Sequence, residues 1–445
     1  MNYKYFSFLM LSTALLATPE VQTFSEVFSE AKTSGNIKYY YIQTDKDFDS
    51  APSTSADANS VGGQLRFDTA SFYGFRAGAT FMTTNPFLLG DSVDTSIIGK
   101  DNGVRGADAT KGFSVLGEGY IAYKYKDLDL LYGRDVIKTP LINAKEVRML
   151  PSAVEGAFAR YDLSKSSQAT VAYLDKFKQR TSSEFIDIVN HALGRETEAI
   201  TGSTTGSVLM AGFEQKGEQY SFKLYDYYAA DFLNSLSVDG TYKMSIAGMK
   251  TAFSGEYIYQ KSVGNAQDNL AETASVTAGK TIEVNALSLR AKLLHKSAAF
   301  TVAYSNVLKN SSKHDSLVLP WDGTPLYTNM ITSNDLFQSL YGSALKADSI
   351  YIGGSQGVKI AYKQKLDSFG LQGVSAYVAF LNTSNSKFEK DQRDYNIVLA
   401  YKYAKAFSFA LKGIWVENNS GASADGTVSQ IKLLSQYRVI ANYKF

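Results

Sequence analysis

The sequence predicts an all-β fold, a single transmembrane antiparallel β-barrel of about eighteen strands. Three observations carry this. Segments of roughly ten residues alternate apolar and polar side chains at period two, the repeat that sends successive side chains to opposite faces of a strand. Short turns and long polar connections separate these segments in strict alternation, which places both chain ends on the short-turn side. The composition is polar overall, with a mean hydropathy of −0.17, yet it holds 30 Tyr and 26 Phe against 2 Trp. A helical membrane protein is more apolar than this, whereas a barrel need present only every second strand residue to lipid. Tyrosine suits the boundary, its ring buried and its hydroxyl wet.

A chain of 445 residues could hold several ordinary domains or one large β-architecture. No proline-rich, Gly/Ser-rich or charged linker divides it, so one unit is expected. Met1 to Tyr5 form a short basic start, and the apolar run 6–17 has signal-peptide length, too short to cross a membrane as a helix. Cleavage after Ala17 would leave Leu15 at a position that usually prefers a small residue. Residues 18–34 then form a periplasmic N-terminal segment, with a short helical stretch at 23–32, and 35–445 form the barrel. With no cysteine, disulfides and thiolate metal sites are excluded. A net charge of +2, with acids and bases interspersed, argues against a nucleic-acid surface.

The expected strands run 35–44, 64–71, 75–82, 115–125, 128–134, 154–162, 168–177, 207–215 and 219–228 in the first half. The second half continues 236–244, 251–261, 283–294, 298–308, 358–365, 371–382, 394–403, 406–417 and 428–445. Tight turns fall at Tyr73-Gly74 and Lys126-Asp127; long polar connections include the stretch before Ser60 and an Asp/Gly-rich one before Gly112. Faces repeat consistently. Leu236, Val238, Gly240, Tyr242 and Met244 suit lipid, leaving Ser237, Asp239, Thr241 and Lys243 to the interior. Likewise Tyr395, Ile397, Leu399 and Tyr401 oppose Asn396, Val398, Ala400 and Lys402. A charge on the lipid face at mid-depth costs about 2–4 kcal/mol, so the polar set faces inward. A polar interior in a barrel this wide holds water and makes a channel.

The last strand repeats the pattern, with Tyr437, Val439, Ala441, Tyr443 and Phe445 on one face and Arg438, Ile440, Asn442 and Lys444 on the other. A final strand ending in a bare aromatic residue resembles those of bacterial outer-membrane barrels, where it closes against the first. That likeness implies the barrel-assembly machinery as a partner through Tyr443 and Phe445. A second resemblance lies in Gly133-Arg134-Asp135-Val136-Ile137-Lys138-Thr139-Pro140 and in Val147-Arg148-Met149-Leu150-Pro151-Ser152-Ala153-Val154-Glu155-Gly156. It is similar to the outer-membrane porin D (OprD) family, in which a strand ending Gly-Arg leads to a Thr-Pro turn, an Arg-x-x-Pro segment and a Glu-Gly pair opening the next strand. Weaker echoes are Pro320-Trp321-Asp322-Gly323 through Tyr327-Thr328-Asn329-Met330, and Ala347-Asp348-Ser349-Ile350-Tyr351.

The resemblance implies an outer-membrane porin with inward-folded extracellular loops, passing small polar or anionic solutes such as amino acids and organic acids. It implies no enzyme activity and no cofactor. The surroundings would be the lipid bilayer and lipopolysaccharide, the assembly a monomer or loose homotrimer. Carried onto this chain, the third extracellular loop, 135–153, narrows the pore with Arg134, Asp135, Lys138, Lys145, Glu146 and Arg148 in or beside it. The seventh loop, 309–347, adds Trp321, Asp322 and Tyr327. The family's ladder of basic residues on one lumen wall falls at Lys38, Arg66, Lys402, Lys412 and Arg438. Lysine at several rungs supplies a point charge rather than the planar fork that grips a carboxylate with two bonds.

Other motifs carry less. Gly117-x-Gly119-x-x-Ala122 fits a dinucleotide fingerprint only superficially, since it continues into a strand rather than a helix. His295-x-Ser297 puts a base and a hydroxyl together, the feature a lipid hydrolase would use, but Ser297 falls in a short turn. His191, His295 and His314 lack metal-ligand spacing. Asp91, Asp94, Asp101 and Asp108 read as a solvated acidic loop rather than a calcium site. A surface adhesin is the alternative to a pore, with the long loops binding a partner over a blocked lumen.

Overall fold

The computed structural model describes residues 20–48, 51–89, 111–144, 148–193, 206–267, 281–331, 349–386, 390–419 and 431–445. All its strands belong to one 21-stranded sheet, in which Glu20–Val21, Ser71–Phe72 and Ile186–Asp187 are two-residue pieces. The other eighteen make a closed antiparallel barrel. In chain order they are β1 (Lys32–Phe48), β2 (Thr54–Asp68), β3 (Phe75–Leu89), β4 (Phe113–Tyr125), β5 (Leu128–Asp135) and β6 (Ala153–Ser164). Next come β7 (Ser167–Lys178), β8 (Val208–Lys216), β9 (Tyr220–Ala229), β10 (Leu233–Ile246), β11 (Met249–Ser262) and β12 (Glu283–His295). The last six are β13 (Ala298–Val307), β14 (Ser355–Lys365), β15 (Val374–Asn385), β16 (Lys390–Tyr403), β17 (Phe407–Asn419) and β18 (Ile431–Lys444).

Each strand pairs with its sequence neighbours, and β18 returns to β1 with Tyr443 opposite Ile37 and Arg438 opposite Ile42. The seam reaches the final residue: Gly35 N donates to Phe445 O at 3.0 Å, and Phe445 N donates to Gly35 O at 3.1 Å. A Cβ on residue 35 would lie 2.7 Å from the Phe445 ring, so the ring's place over the first strand requires glycine. Closure removes both sheet edges, which is what allows strands to sit in hydrocarbon with every backbone group paired.

The two faces separate as the period-two pattern predicts. Ile121, Tyr132, Val171, Tyr173, Phe253, Leu289, Ile360 and Ile397 are exposed on the outside. The alternate positions, among them Arg76, Glu118, Asp129, Glu256, Gln392, Asp394 and Arg438, are buried within. Among the described residues no helix is long and apolar enough to cross a membrane.

The connections correct one expectation. Those after β1, β9 and β15 are as short as turns, so long and short do not strictly alternate. The stretch before Ser60, read as a loop for its polarity, is strand: Asp45 pairs with Ser55 and Lys46 with Thr54. Ladder bonds use backbone groups alone, so beyond an apolar band a hairpin can continue with polar side chains on both faces. The helix expected over 23–32 is one turn, α1 (Glu26–Ser29), because β1 begins at Lys32. Glu26 Oε2 accepts from Gln22 N and Thr23 N, both at 3.0 Å, and holds the preceding residues in a tight bend. The dinucleotide-like glycines lie within β4, where Gly117 is the extra residue of a bulge opposite Thr80 and Phe81.

Candidate constriction and lumen wall

Three connections on one rim fold back into the barrel: β5 to β6, β7 to β8, and β13 to β14. Each carries an apolar cluster inside polar sequence, Leu141-Ile142, Ile188-Val189 and Leu317-Val318, and all six residues are buried in one core with the inner wall. Burying such clusters against the wall removes their apolar area from water. The second connection includes α2 (Ile188–Ala192), N-capped by Asp187, whose carboxylate accepts from Val189 N at 3.0 Å and Asn190 N at 2.8 Å.

The three connections meet at Trp321 and Asp322. Trp321 is 1% exposed and its indole N–H donates to Ile188 O at 2.9 Å. Its own carbonyl accepts from Asn143 N at 3.0 Å. Asp322 accepts from Ser152 Oγ at 2.5 Å and forms an ion pair with Arg180. Gly323 follows, and a Cβ there would meet Leu141 Cα at 2.7 Å. Nearby, Lys178 Nζ donates to Pro151 O and Gln179 O at 3.1 Å and to Ser182 O at 3.3 Å. Trp321 and Asp322, placed at the constriction by sequence, are therefore joints between loops. One point thus ties three loops together inside the barrel.

From there the last of these connections crosses the inner wall strand by strand. Leu326 N donates to Glu256 Oε2 of β11 at 2.8 Å, and Tyr327 N to Ser288 Oγ of β12 at 2.9 Å. The Tyr327 hydroxyl donates to Asp239 of β10, and Arg290 of β12 lies under its ring, 4.1 Å from the centroid. Burial first, then the Asp239 charge, push the Tyr327 phenol above its usual range. Thr328 bonds Ser305 of β13 at 2.6 Å, Asn329 O accepts from Lys359 of β14, and Ile331 N donates to Asn396 of β16 at 2.9 Å.

The basic positions divide. On β17 and β18, Lys412 and Arg438 face each other in register, and Lys38 of β1 lies opposite Asn442 of β18. Lys38 Nζ donates to Arg148 O at 3.1 Å and Met149 O at 3.0 Å. β1, β18 and β17 are neighbouring strands, so Lys38 with the Arg148 segment, Arg438 and Lys412 lie along one stretch of wall. Arg66 pairs with Asp68 at 2.6 Å and Glu118 at 3.1 Å, so its charge is shared with two carboxylates. Lys402 lies away from that stretch, opposite Ser408 near the short-turn rim.

At the loop base, Arg134 pairs with Glu155 at 2.8 Å and lies over the Phe185 ring at 4.2 Å. Asp135 pairs with Arg160 at 2.9 Å, and Lys138 bridges to Asn143. Lys145, Glu146 and the acidic positions Asp91, Asp94, Asp101 and Asp108 lie outside the described residues. Ser297 accepts from Gln364 Nε2 at 2.7 Å in the turn after β12. Sequence reasoning gave Asp239 an interior position without a role at the site, and missed the carboxylate Glu256 and the cations Arg290 and Lys359. All four occupy inward positions of their strands, and that parity was the signal that could have found them.

No family model matches the chain, and no curated protein matches it in sequence. Solved structures do. Pseudomonas aeruginosa OpdK, crystallised with vanillate, aligns with a TM-score of 0.70 at 14% identity, over 94% of this chain and 99% of that one. P. aeruginosa OccK2 (OpdF), in complex with glucuronate, gives 0.69 at 10% identity over 94% and 99%. Acinetobacter baumannii OccAB4 gives 0.70 at 14% identity over 93% and 98%. The chain thus has the fold of the OprD-type porins along nearly its whole length.

Proposed function

We propose that the chain is an OprD-type porin of the Gram-negative outer membrane, through which small anionic and zwitterionic solutes, amino acids and organic acids, diffuse passively. One observation carries this: Lys38, Arg148, Lys412 and Arg438 gather where the inward-folded loop meets the β1–β17–β18 wall. The carboxylates Asp239 and Glu256 stand on β10 and β11, half the strand order away from β1. A cation-rich wall facing one where Asp239 and Glu256 offset Arg290 and Lys359 gives a field across the lumen that draws in a carboxylate and orients a zwitterion. Each contact must stay weak, because a solute held tightly does not leave. Two of the similar structures hold carboxylates, vanillate and glucuronate, which is the solute class proposed here.

In this reading residues 1–17 are a signal peptide, and the barrel, monomeric or a loose homotrimer, sits among phospholipid and lipopolysaccharide. The assembly machinery reads Tyr443 and Phe445. Liposomes carrying the refolded chain should swell faster in isotonic amino acids and monocarboxylates than in neutral sugars of equal size. Equal rates for acids and sugars would reduce the proposal to an unselective pore, and no swelling would end it.

A further inference from the structure

The residues before β1 do more than lead into the barrel. Glu20–Val21 pairs in parallel with Ser71–Phe72, in the connection between β2 and β3. Ala70 N donates to Val27 O at 3.0 Å, Gly74 N donates to Glu20 Oε1 at 3.2 Å, and Val21, Val27 and Ala70 are buried together. This hook is fixed on the short-turn rim, and its two phenylalanines are exposed. Phe24 is 68% exposed and Phe28 58%. Their rings meet edge to face at 5.9 Å, and Phe24 meets Phe72 at 6.2 Å.

The row does not stop there. Phe72 packs on Tyr73 at 4.5 Å, Tyr73 is 75% exposed, and Phe75 at the start of β3 packs on Tyr123 of β4 at 4.6 Å. Phe75 shares the outward parity of Phe81 on β3, the face that carries the exposed apolar side chains. Phe72 pairs in register with Phe75, so the hook's aromatic patch meets the start of the barrel's outer apolar face. Beside it Lys126 lies over the Tyr125 ring at 5.3 Å. Aromatic rings next to lysines are the side-chain set that settles at a bilayer interface, rings among glycerol and upper acyl groups and ammonium groups on phosphates.

We propose that this hook is a membrane-interface anchor, inserting Phe24 and Phe28 into the phospholipid surface around the short-turn rim. It holds residues 20–29 against the β2–β3 turn and extends the barrel's belt with residues outside the barrel. The inference rests on the reading of the chain as a bilayer-spanning barrel, and its test separates the two.

The chain has no cysteine, so single-cysteine variants label uniquely. Nitroxide labels on Phe28→Cys, Phe24→Cys, Ile397→Cys and Lys296→Cys would be compared in the full chain refolded into phosphatidylethanolamine–phosphatidylglycerol vesicles. Collision with oxygen reports lipid, and collision with a water-soluble nickel chelate reports solvent. Labels at 24 and 28 are expected to show an oxygen-to-nickel ratio several-fold above that at Lys296 and below that at Ile397. A water-like ratio at both hook positions with a lipid-like one at Ile397 overturns the anchor and leaves the barrel standing. A water-like ratio at Ile397 overturns both.

Discussion

The Lys38 ammonium group donates to the backbone carbonyl of Arg148 at 3.1 Å, joining the first strand to the loop that folds into the lumen. The loop segment at Arg148 is thereby held beside the wall that carries Lys412 and Arg438. Like charges gathered on one wall repel, and they stay together because strand register and loop packing fix them. Such a group lowers its repulsion by attracting an anion, which is the property a carboxylate-selective lumen needs.

Replacing Arg148 with Gln should shift the reversal potential under a salt gradient toward cations while leaving folding intact. Its backbone carbonyl, which Lys38 uses, is unchanged by the substitution. Unaltered selectivity in planar bilayers would show that the side chain does not contribute to the field.

Asp322→Ala should loosen the constriction rather than the wall. It removes the partner of Arg180 and the acceptor of Ser152, and losing one member of a buried ion pair costs about 3–5 kcal/mol. Single-channel records are expected to show larger, noisier conductance with the folded band retained in SDS. Parent-like conductance would show that Trp321 and the apolar contacts hold the three loops without it.

The wall itself depends on Arg76 and Asp129, paired at 2.8 Å with side chains 6% and 5% exposed. Arg76→Met strands a buried carboxylate and should destabilise by about 3–5 kcal/mol, read as a lower temperature for loss of the folded band. Adding Asp129→Leu should restore much of that loss, since two apolar groups leave no unpaired charge. No recovery in the double variant would place the effect in packing.

On the outer face, Ile397→Lys should cost about 2–4 kcal/mol at mid-depth, whereas Lys at the inward neighbour Val398 should cost far less. Folding yields into vesicles, compared for the two variants, check the assignment of faces. Equal yields would contradict it.

How much of this was legible beforehand varied with the physics. Period two located every barrel strand and both faces of β10 and β16, because a one-residue slip would exchange lipid and lumen. The hairpin of β1 and β2 was underestimated, since Asp45, Lys46, Thr54 and Ser55 carry polarity where pairing is made by backbone alone. The residues around Arg148 and Trp321 stood out by motif, but Trp321 as a joint did not, because its partners Ile188 and Asn143 are 133 and 178 positions away in sequence. A separation of 52 positions likewise hid the pairing of Arg66 with Glu118, which turned an expected ladder rung into a shared charge. Long-range partners of this kind follow from how loops fill a closed interior, and local pattern carries no record of it.

The most direct test of the whole account is the current through the purified, refolded chain in a planar bilayer under a potassium chloride gradient, beside the Lys412→Gln/Arg438→Gln variant. Discrete steps in both, with the reversal potential of the variant moved toward cations, are the predicted result. A sealed bilayer, or steps whose reversal potential is the same in both proteins, would contradict it.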